Sequence, residues 1–527
     1  MSSTAAGEPA TVGAGQGMPR IARGGALNLL GAVITSITGV VLVIVVTRAL
    51  PPSEAGIFFA LTSLFLLAEM VARLGTSTGL VYFIARFRAL GQTDRIRACQ
   101  RVALIPVVVL SLAMAFVLAF WAPDFARLVG GGTGEGTRAA VLLLAVVLPV
   151  TTLSDTFLSA TRGHATMLPT VVLDRITRPI LQLGLVALAV TVGSVSLLAG
   201  AWALPWVLSA ALAAGWLLRL QRGLPQSAGG TPGRTMWREF WTFTGPRAVN
   251  SLVQLALQRL DIILITVLIG PAQAAVYMAA TRFLVVGQLT GTAISAAAQP
   301  RLAELLAVGD RASARAVYQS ATGWIVLLTW PLYLLCAVFA DAVLTVFGSG
   351  YSAGRPVILV LAGAMLVATA CGMVDMLLNM AGRTSWTLGN SILALAVMVT
   401  VDLWLIPSLG ILGAGIGWAA AILVNNLLPL IQLTLSLGLH PFGQATWRAA
   451  ALCGLCFGVL PAVVHLSAPG EPWPAVAAVL IGGVIFLAVC VCQRSTLALP
   501  PLRELRTRRR STPAQPDLVQ APSGGVS

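Results

Sequence analysis

The amino-acid sequence predicts an all-α polytopic membrane protein with about 14 transmembrane helices, and three observations support that fold class. Of its 527 residues, 57% are hydrophobic and only 10% are charged, whereas a soluble globular protein carries about 25% charged residues. Apolar segments long enough to cross a hydrocarbon core of about 30 Å follow one another along the chain. The second half of the chain also repeats the pattern of the first half, at an offset of about 220 residues.

Fourteen apolar segments form the predicted spans, and their number decides the topology. A chain that begins inside and crosses the membrane an even number of times also ends inside. The first segment is longer than the apolar core of a signal peptide and leads directly into another span, so we expect it to be retained. The spans cover approximately 26–47, 55–84, 102–122, 139–160, 170–192, 198–218, 243–269, 274–298, 316–339, 356–380, 386–406, 411–437, 448–466 and 474–492.

The arginines support this topology and account for the net charge of +15. Most of them fall in the loops and the tail that the topology places inside, and cytoplasmic loops are enriched in basic residues. We therefore expect a plasma or inner membrane protein with both termini in the cytoplasm, rather than a nucleic-acid-binding protein. The inside arginines are Arg86, Arg88, Arg95, Arg97, Arg101, Arg219, Arg222, Arg234, Arg238, Arg301, Arg311, Arg315, Arg503, Arg506, Arg508, Arg509 and Arg510, and those outside are Arg48, Arg127, Arg138 and Arg355.

The internal repeat predicts two lobes of six helices with the same orientation, as in transporters built from parallel repeats. ALPPSEAGIFF (49–59) resembles LIGPAQAAVYM (268–278), and SDTFLSATRG (154–163) resembles VDMLLNMAGR (374–383), which aligns Asp155 with Asp375. We expect the lobes to surround a central cavity. The predicted regions are a disordered tail (1–19), an N lobe (20–220), a cytoplasmic linker (221–240), a C lobe (241–440), helices 13 and 14 (441–494), and a basic disordered tail (495–527).

Two predicted spans, within residues 241–299, carry polar residues at steps of three or four, which places them on one face of a helix. Unsatisfied polar groups in hydrocarbon cost several kcal/mol each, so these stripes must face protein or a watery cavity. Hydrogen bonding between helices is one interpretation. A cavity lining shared by the two helices is the one we favour. The stripes contain Arg247, Asn250, Gln254, Gln258 and Asp261, and then Tyr277, Thr281, Gln288, Thr292, Ser295 and Gln299.

The opening of the chain resembles polysaccharide and oligosaccharide flippases, whose pattern is an apolar first helix, an Arg-x-Leu turn and then Glu-x-Gly-aromatic. Arg48, Leu50, Glu54, Gly56 and Phe58 occupy those positions, and Asp261 occupies the position of an Asp in the family's seventh helix. The resemblance covers about 20–490. It implies the multidrug/oligosaccharidyl-lipid/polysaccharide exporter superfamily, in which two six-helix lobes open alternately to each side.

The resemblance implies a flippase for a lipid-linked oligosaccharide on a polyprenyl-phosphate-type carrier, used in cell-surface polysaccharide synthesis. Lipid II flippases are similar but have a markedly cationic cavity. Here the charges predicted in mid-membrane are mixed and slightly acidic: Glu69, Arg73, Asp155, Arg259, Asp261, Arg282 and Asp375.

Each charge at the centre of a spanning helix costs roughly 2.5–3.5 kcal/mol on insertion scales, so we expect these groups to be paired, hydrated or functional. Glu69 and Arg73 have the favourable spacing for a helical ion pair. Arginine suits the carrier phosphate because its planar fork binds phosphate in a bidentate manner, and amides suit sugar hydroxyls because they donate and accept. The substrate-binding candidates are Arg282, Arg73, Arg259, Arg247, Gln254, Gln258, Asn250 and Gln288.

Buried carboxyl groups are candidates for ion coupling, because burial favours their neutral, protonated form. They are Asp261, Asp155, Asp375 and Glu69. We predict no cofactor and no metal, since the paired cysteines at 453 and 456 and at 490 and 492 have no neighbouring ligands. Membrane lipids, the lipid-linked glycan and a glycan polymerase or glycosyltransferases are the expected partners.

Three other functions remain open. A drug/cation antiporter of the same superfamily would require a cavity rich in acids and aromatic residues, which the Gln, Asn and Arg side chains do not favour. An enzyme such as a glycan polymerase would require longer outer loops and a cluster of His, Asp or Glu. A membrane scaffold would not explain the repeat or the polar stripes.

Overall fold

The computed structural model describes residues 17–130, 135–222, 233–468 and 472–493. Over those ranges every regular element is a helix, and 12 helical segments are long and apolar enough to cross a membrane. The chain is therefore a multi-pass α-helical membrane protein. Residues 1–16 of the first predicted tail, 223–232 of the predicted linker and the whole basic tail (495–527) lie outside the described residues. The boundaries of the six predicted regions remain predictions.

The N lobe comprises the first eight helices. They pack through an apolar core in which Phe58, Phe65 and Leu144 are buried. A π-helical segment, Thr170–Thr177, precedes α7. The helices are α1 (Gly17–Ala49), α2 (Pro52–Arg73), α3 (Thr76–Ala89), α4 (Asp94–Phe120), α5 (Ala122–Gly130), α6 (Glu135–Gly163), α7 (Arg178–Ala189) and α8 (Val195–Gln221).

The C lobe comprises the next nine helices, and the last three stand beyond the repeat. A 3₁₀ segment, Ser349–Gly354, precedes α14, and a π-helical segment, Gly454–Val459, joins α18 to α19. The C-lobe helices are α9 (Arg234–Ile269), α10 (Pro271–Ala280), α11 (Phe283–Ala307), α12 (Arg311–Val338), α13 (Ala340–Thr345), α14 (Arg355–Cys371), α15 (Val374–Met380), α16 (Thr384–Leu409) and α17 (Ile411–Leu437). The last three are α18 (Gln444–Cys453), α19 (Leu460–Ser467) and α20 (Pro472–Cys492).

The internal repeat is visible in the helices themselves. α2 and α10 both begin at a proline, Pro52 and Pro271, which lacks the N–H that a first helical turn leaves unused. The closing helices of the two lobes, α8 and α17, are each 27 residues long. The two halves thus share one plan.

Two of the 14 predicted spans, 170–192 and 274–298, are not among the 12 helical segments that are long and apolar enough to cross a membrane, and in both the regular α-helix is interrupted. The span predicted at 170–192 starts with the π-helical segment. Pro179 has no N–H to donate to the carbonyl of Arg175, and the hydroxyl of Thr35 in α1 donates to that oxygen instead, at 2.9 Å. Helix α1 thereby replaces a bond that the interrupted helix lacks.

The span predicted at 274–298 breaks between α10 and α11. The Thr281 hydroxyl and the Arg282 Nε both donate to the carbonyl of Met278, at 3.1 Å each. The backbone N–H of Arg282 bonds instead to Ala279, because side chains that bond to the backbone compete with the helix. The predicted continuous stripe from Tyr277 to Gln299 is therefore wrong, since Tyr277 lies on α10 and Thr281 lies in the break before α11.

The two lobes meet most closely where α2 packs on α10. A methyl group at Gly56 would collide with the carbonyl oxygen of Pro271, so only glycine permits this approach. Nearby, Arg48 Nε donates to the carbonyl of Val346 at 2.7 Å, which joins α1 to the C lobe. This end of the bundle is closed.

Candidate functional site

A cavity of about 670 Å³ lies within the C lobe. Its wall is formed by α9, α11, α14, α15 and α17, together with Ile325 and Tyr333 of α12. Amide and hydroxyl side chains provide most of its polar surface, and Asp375 adds one carboxylate. The amide and hydroxyl residues are Gln254, Gln258, Gln288, Thr292, Ser295, Gln299, Thr369, Asn425 and Asn426.

A hydrogen-bonded chain fixes two of these amides. Gln254 Nε2 donates to Ser391 Oγ at 3.0 Å, and Ser391 Oγ donates to Asn425 Oδ1 at 3.3 Å. Thr369 is held in a similar way, because it accepts a bond from Trp330 Nε1 at 3.1 Å. The cavity wall is thus ordered before any ligand binds.

A second, smaller cavity of about 150 Å³ lies between the lobes. α1, α2, α7 and α8 form one side, and Arg259 of α9 and Arg282 form the other. Among the described residues neither arginine has a carboxylate within 4.0 Å, and Arg259 Nε is buried with no hydrogen-bond partner. These two guanidinium groups are therefore available to a ligand anion.

A third cavity, of about 280 Å³, adjoins the second, and both are lined by Arg178 and Leu66. Arg73 forms ion pairs there with Asp155 and, at 3.6 Å, with Glu69. The predicted pair of Glu69 and Arg73 is thus present, with Asp155 added from α6.

The interrupted helix supplies the remaining charges of this third cavity. Asp174 and Arg178 lie one turn apart and form an ion pair at 2.7 Å, and the Arg178 guanidinium lies 4.0 Å above the Trp206 ring. Arg175 lines the same cavity. π-helical turns often occur at functional sites, because the extra residue redirects side chains.

A fourth cavity, of about 680 Å³, lies at the opposite end of the lobes from the Gly56 contact, where α3 approaches α9. Its wall is mainly apolar and includes Tyr82, which stacks on Phe243 with ring centroids 4.3 Å apart. Arg162 lines both this cavity and the third one. The second, third and fourth cavities therefore form a series in which neighbours share an arginine.

A buried acidic group lies in the C lobe away from these cavities. Asp261 accepts a hydrogen bond from the Tyr277 hydroxyl at 2.6 Å and another from the backbone N–H of Ile262 at 2.8 Å. Asp402 of α16 is fully buried, and neither of its carboxylate oxygens has a hydrogen-bond partner within the described chain. Unpaired buried charges are costly, so this group is a candidate for ion binding or protonation.

The structure brings the predicted site residues together in three sets. Gln254, Gln258, Gln288 and Asp375 share the C-lobe cavity. Arg259 and Arg282 share the cavity between the lobes, and Glu69, Arg73 and Asp155 share the third cavity.

Three predicted residues do not line these cavities. Arg247 is exposed and lies over the Phe243 ring, with 3.8 Å from its Cζ to the ring centroid. Asn250 has a buried Oδ1 with no partner in the described chain, and Asp261 is held by Tyr277. The stripe on α9 therefore lines the C-lobe cavity only through its two glutamines, because α9 packs against several different helices along its length.

Sequence reasoning missed several charged residues and amides of these sites. Arg162 lies just beyond one predicted span, and Asp174, Arg175 and Arg178 lie within the next. None of the four was counted among the mid-membrane charges, and this omission made the predicted charge balance wrong. Six arginines and three carboxylates line the second and third cavities, so their lining is cationic rather than slightly acidic. The Asp-x-x-x-Arg-Pro pattern at 174–179 was the available signal. Asp402, Asn425 and Asn426 were missed as well.

Comparisons with known proteins agree with this fold. A solved structure of the lipid II flippase MurJ in an inward closed conformation superposes with a TM-score of 0.69 at 10% identity, covering 88% of this chain and 98% of that one. An inward-facing multidrug resistance MATE family transporter of the MOP superfamily gives 0.62 at 15% identity, covering 77% and 95%. These likenesses confirm the predicted fold class, two parallel-repeat lobes with two further spans.

Sequence comparison supplies the family. The chain is 21% identical over 272 residues to the probable low-salt glycan biosynthesis flippase Agl15 of Haloferax volcanii, and the match spans 51% of this chain and 56% of that protein. These similar proteins are flippases and transporters by name, not enzymes. The polysaccharide biosynthesis protein family matches residues 21–306. Because that match covers more than half of this chain, the chain belongs to the polysaccharide biosynthesis protein family.

Proposed function

We propose that this protein is a flippase that moves a lipid-linked oligosaccharide across the plasma or inner membrane for cell-surface polysaccharide synthesis. The carrier is of the polyprenyl-phosphate type, and the two lobes give alternating access. The observation that carries this proposal is the series of three arginine-sharing cavities between the cytoplasmic end of α3 and the interface of the lobes. The distribution of arginines supports a cytoplasmic position for both termini.

Arg259 and Arg282 are the proposed binding groups for the carrier phosphate. Both side chains are half-buried, and no carboxylate among the described residues pairs with either of them. Such an arrangement is stable only if an anion or water compensates the charge. Charge-assisted bonds from arginine to phosphate are about twice as strong as neutral hydrogen bonds. An anionic headgroup therefore suits this cavity better than a cationic drug.

The route to these arginines begins at the fourth cavity. Its apolar and aromatic wall suits a lipid, and Arg162 at its inner end suits the first contact with the phosphate. From there the headgroup passes Arg73, Arg175 and Arg178 before it reaches Arg259. Arg73 and Arg178 on this route already have carboxylate partners, so they bind the phosphate more weakly than Arg259 and Arg282, which draw the headgroup towards the interface.

The closed contact between Gly56 and Pro271 supports an inward-open or inward-closed state for this conformation. In the predicted topology that contact lies at the outer side of the membrane. Separation of α2 from α10 would open the outer side and release the headgroup there.

A second candidate function is a drug/cation antiporter of the same fold. The observation that favours it is the buried acidic group formed by Asp261 and Asp402. In the flippase proposal the same carboxylates couple transport to an ion gradient. Asp155, Glu69 and Asp375 remain proposed alternatives for that role, although the first two are paired with Arg73.

The test replaces Arg282 by alanine in cells whose surface polysaccharide depends on this protein. We expect Arg282→Ala to abolish export while the protein still reaches the membrane, and the exposed Arg247→Ala to serve as the matched control with near-normal export. Normal export with Arg282→Ala would remove that residue from the site. Drug hypersensitivity of a deletion strain with intact surface polysaccharide would instead support the antiporter.

A further inference from the structure

We propose that the C-lobe cavity is a separate subsite for the glycan, and that it selects a short, uncharged oligosaccharide. This inference rests on the proposed function and names the substrate class for it. The arginine-lined cavities then hold the phosphate part of the carrier, and α9 forms the wall between the two parts of the site.

The lining of the C-lobe cavity has the chemistry of a sugar-binding surface. Each amide offers two donors and an acceptor site, and each hydroxyl offers both functions, which matches the hydroxyl groups of a sugar. Trp418 adds a flat apolar surface to the same wall, and sugar rings present C–H faces that pack on aromatic rings.

The hydrogen-bonded chain through Ser391 leaves particular atoms for the ligand. Gln254 uses its Nε2 and Asn425 uses its Oδ1 in that chain. The Gln254 Oε1 and the Asn425 Nδ2 make no other hydrogen bond among the residues that the structure describes. One acceptor and one donor are thus held in fixed positions on facing helices, and such preorganisation improves affinity.

The charge of the cavity argues against an anionic sugar. Among the residues that line it, Asp375 is the one with a charged side chain, and its Oδ1 is buried without a hydrogen-bond partner in the part of the chain that the structure describes. A uronic acid placed there would meet this carboxylate with no lining cation to offset it. Repulsion between like charges is large where water is restricted.

The repeat shows how this neutral surface differs from the other lobe. When Pro52 is aligned with Pro271, Glu69 corresponds to Gln288 and Arg73 corresponds to Thr292. Asp155 corresponds to Asp375 in the same repeat. The C lobe therefore has neutral polar residues where the N lobe has an ion pair, and this substitution removes the groups that would bind phosphate.

The size and spacing of the two subsites fit one substrate. A volume of about 670 Å³ lies within the usual range of about 300–1,000 Å³ for ligand pockets, which accommodates a short glycan. Gln258 and Arg259 are consecutive residues that line different cavities. Arg282 directly precedes α11, and Gly287 lies within it. These two residues also line different cavities, and the helical rise between them is about 7.5 Å. A diphosphate followed directly by sugars spans such a distance.

The experiment measures binding of three radiolabelled probes to the purified full-length protein by scintillation proximity. All three share the same short polyprenyl diphosphate, which is left bare, linked to a glucosyl-glucose disaccharide, or linked to a glucuronosyl-glucose disaccharide. We expect the wild type to bind the neutral disaccharide about tenfold more tightly than either of the other probes. Asn425→Leu should reduce that affinity to the level of the bare probe and leave the bare probe unaffected, while the matched control Gln273→Leu, at an exposed site outside the cavities, should change nothing.

The outcomes distinguish failure of the glycan subsite from failure of the proposed flippase function. Equal affinity for the neutral and uronic acid probes, or an unchanged preference in Asn425→Leu, would overturn the glycan subsite and leave the proposed function intact. Failure of the wild type to bind any of the three probes would overturn the proposed function itself. If Asn425→Leu also loses the bare probe, Gln258→Leu serves as the second variant, and loss of the bare probe in both would contradict the separation of the subsites.

Discussion

The cavity lined by Arg73 and the cavity lined by Gln288 occupy related places in the two halves of one repeat, yet their chemistry differs. In the N lobe, Arg73 is paired with Glu69 and Asp155, and Arg178 is paired with Asp174. In the C lobe, amides and hydroxyls surround Asp375, which has no ion-pair partner among the described residues. The same helical plan thus supports an ionic cavity in one half and a neutral one in the other.

This difference shows that the repeat fixes the backbone more strongly than the side chains of the cavity. Helices α8 and α17 have equal lengths and α2 and α10 have matching starts, because packing against neighbours constrains them. Cavity side chains make fewer packing contacts, so they can change without loss of the fold. A transporter with two different lobes can bind two different parts of one substrate.

The largest expected effect compares the two aligned aspartates. Asp155→Asn should destabilise the protein by about 3 kcal/mol, because it leaves the buried Arg73 with one weaker partner. Asp375→Asn should be neutral or stabilising, since it removes a buried charge that has no partner in the described structure. The unfolding temperatures of both variants in detergent, measured by intrinsic fluorescence, check this prediction. Equal losses of stability would show that the two carboxylates have equivalent environments.

The next effect compares two consecutive residues of α9. Arg259→Ala should weaken binding of every diphosphate probe by about a hundredfold, because truncating a buried charged partner costs about 2–5 kcal/mol. Gln258→Ala should weaken only the glycan-linked probe, by severalfold. Titration of the bare and glycan-linked probes measures both. If Arg259→Ala weakened binding of the glycan-linked probe alone, our assignment of Arg259 to the diphosphate and Gln258 to the glycan would be wrong.

A smaller effect is expected when the ionic pair is transferred to the other lobe. The double substitution Gln288→Glu with Thr292→Arg keeps the spacing of a helical ion pair, so we expect a folded protein. The new arginine should lower affinity for the neutral disaccharide by about tenfold and raise affinity for the uronic acid disaccharide. The control variant Gln273→Glu, at an exposed site outside the cavities, should change the affinity for neither disaccharide probe. An unaltered preference in the double variant would show that the charge of the C-lobe cavity does not select the glycan.

The smallest change in binding is expected for Asp402→Asn. This carboxylate lies away from the described cavities, so probe affinity should stay within about twofold. Transport in proteoliposomes should instead lose its dependence on an imposed ion gradient, whereas the exposed Asp341→Asn should retain it. Gradient-dependent transport in Asp402→Asn would remove this residue from coupling.

The sequence was sufficient to predict the membrane class, the repeat and part of three of the four cavities. Gln254, Gln258 and Gln288 were found because α9 and α11 are regular helices over those residues, so their spacing reports a shared face. The ion pair of Glu69 with Arg73 was found for the same reason.

The breaks in the helices could not be predicted from periodicity. Tyr277 was placed on the polar stripe, but the bonds from Thr281 and Arg282 to the Met278 carbonyl end α10 and turn Tyr277 towards Asp261. Arg175 and Arg178 were missed because their inward positions depend on the bond from Thr35 to a carbonyl that Pro179 leaves free. The spacing of residues within one helix does not predict a hydrogen bond to a helix that is distant in the sequence.

The most direct test of the divided site is a cryo-electron microscopy structure of the protein in lipid nanodiscs with the glucosyl-glucose diphosphate probe. We predict that the phosphate density lies within hydrogen-bonding distance of Arg259 and Arg282, and that the sugar density lies between Gln258 and Asn425. Phosphate density beside Asn425, or sugar density among the arginines with an empty C-lobe cavity, would contradict the account.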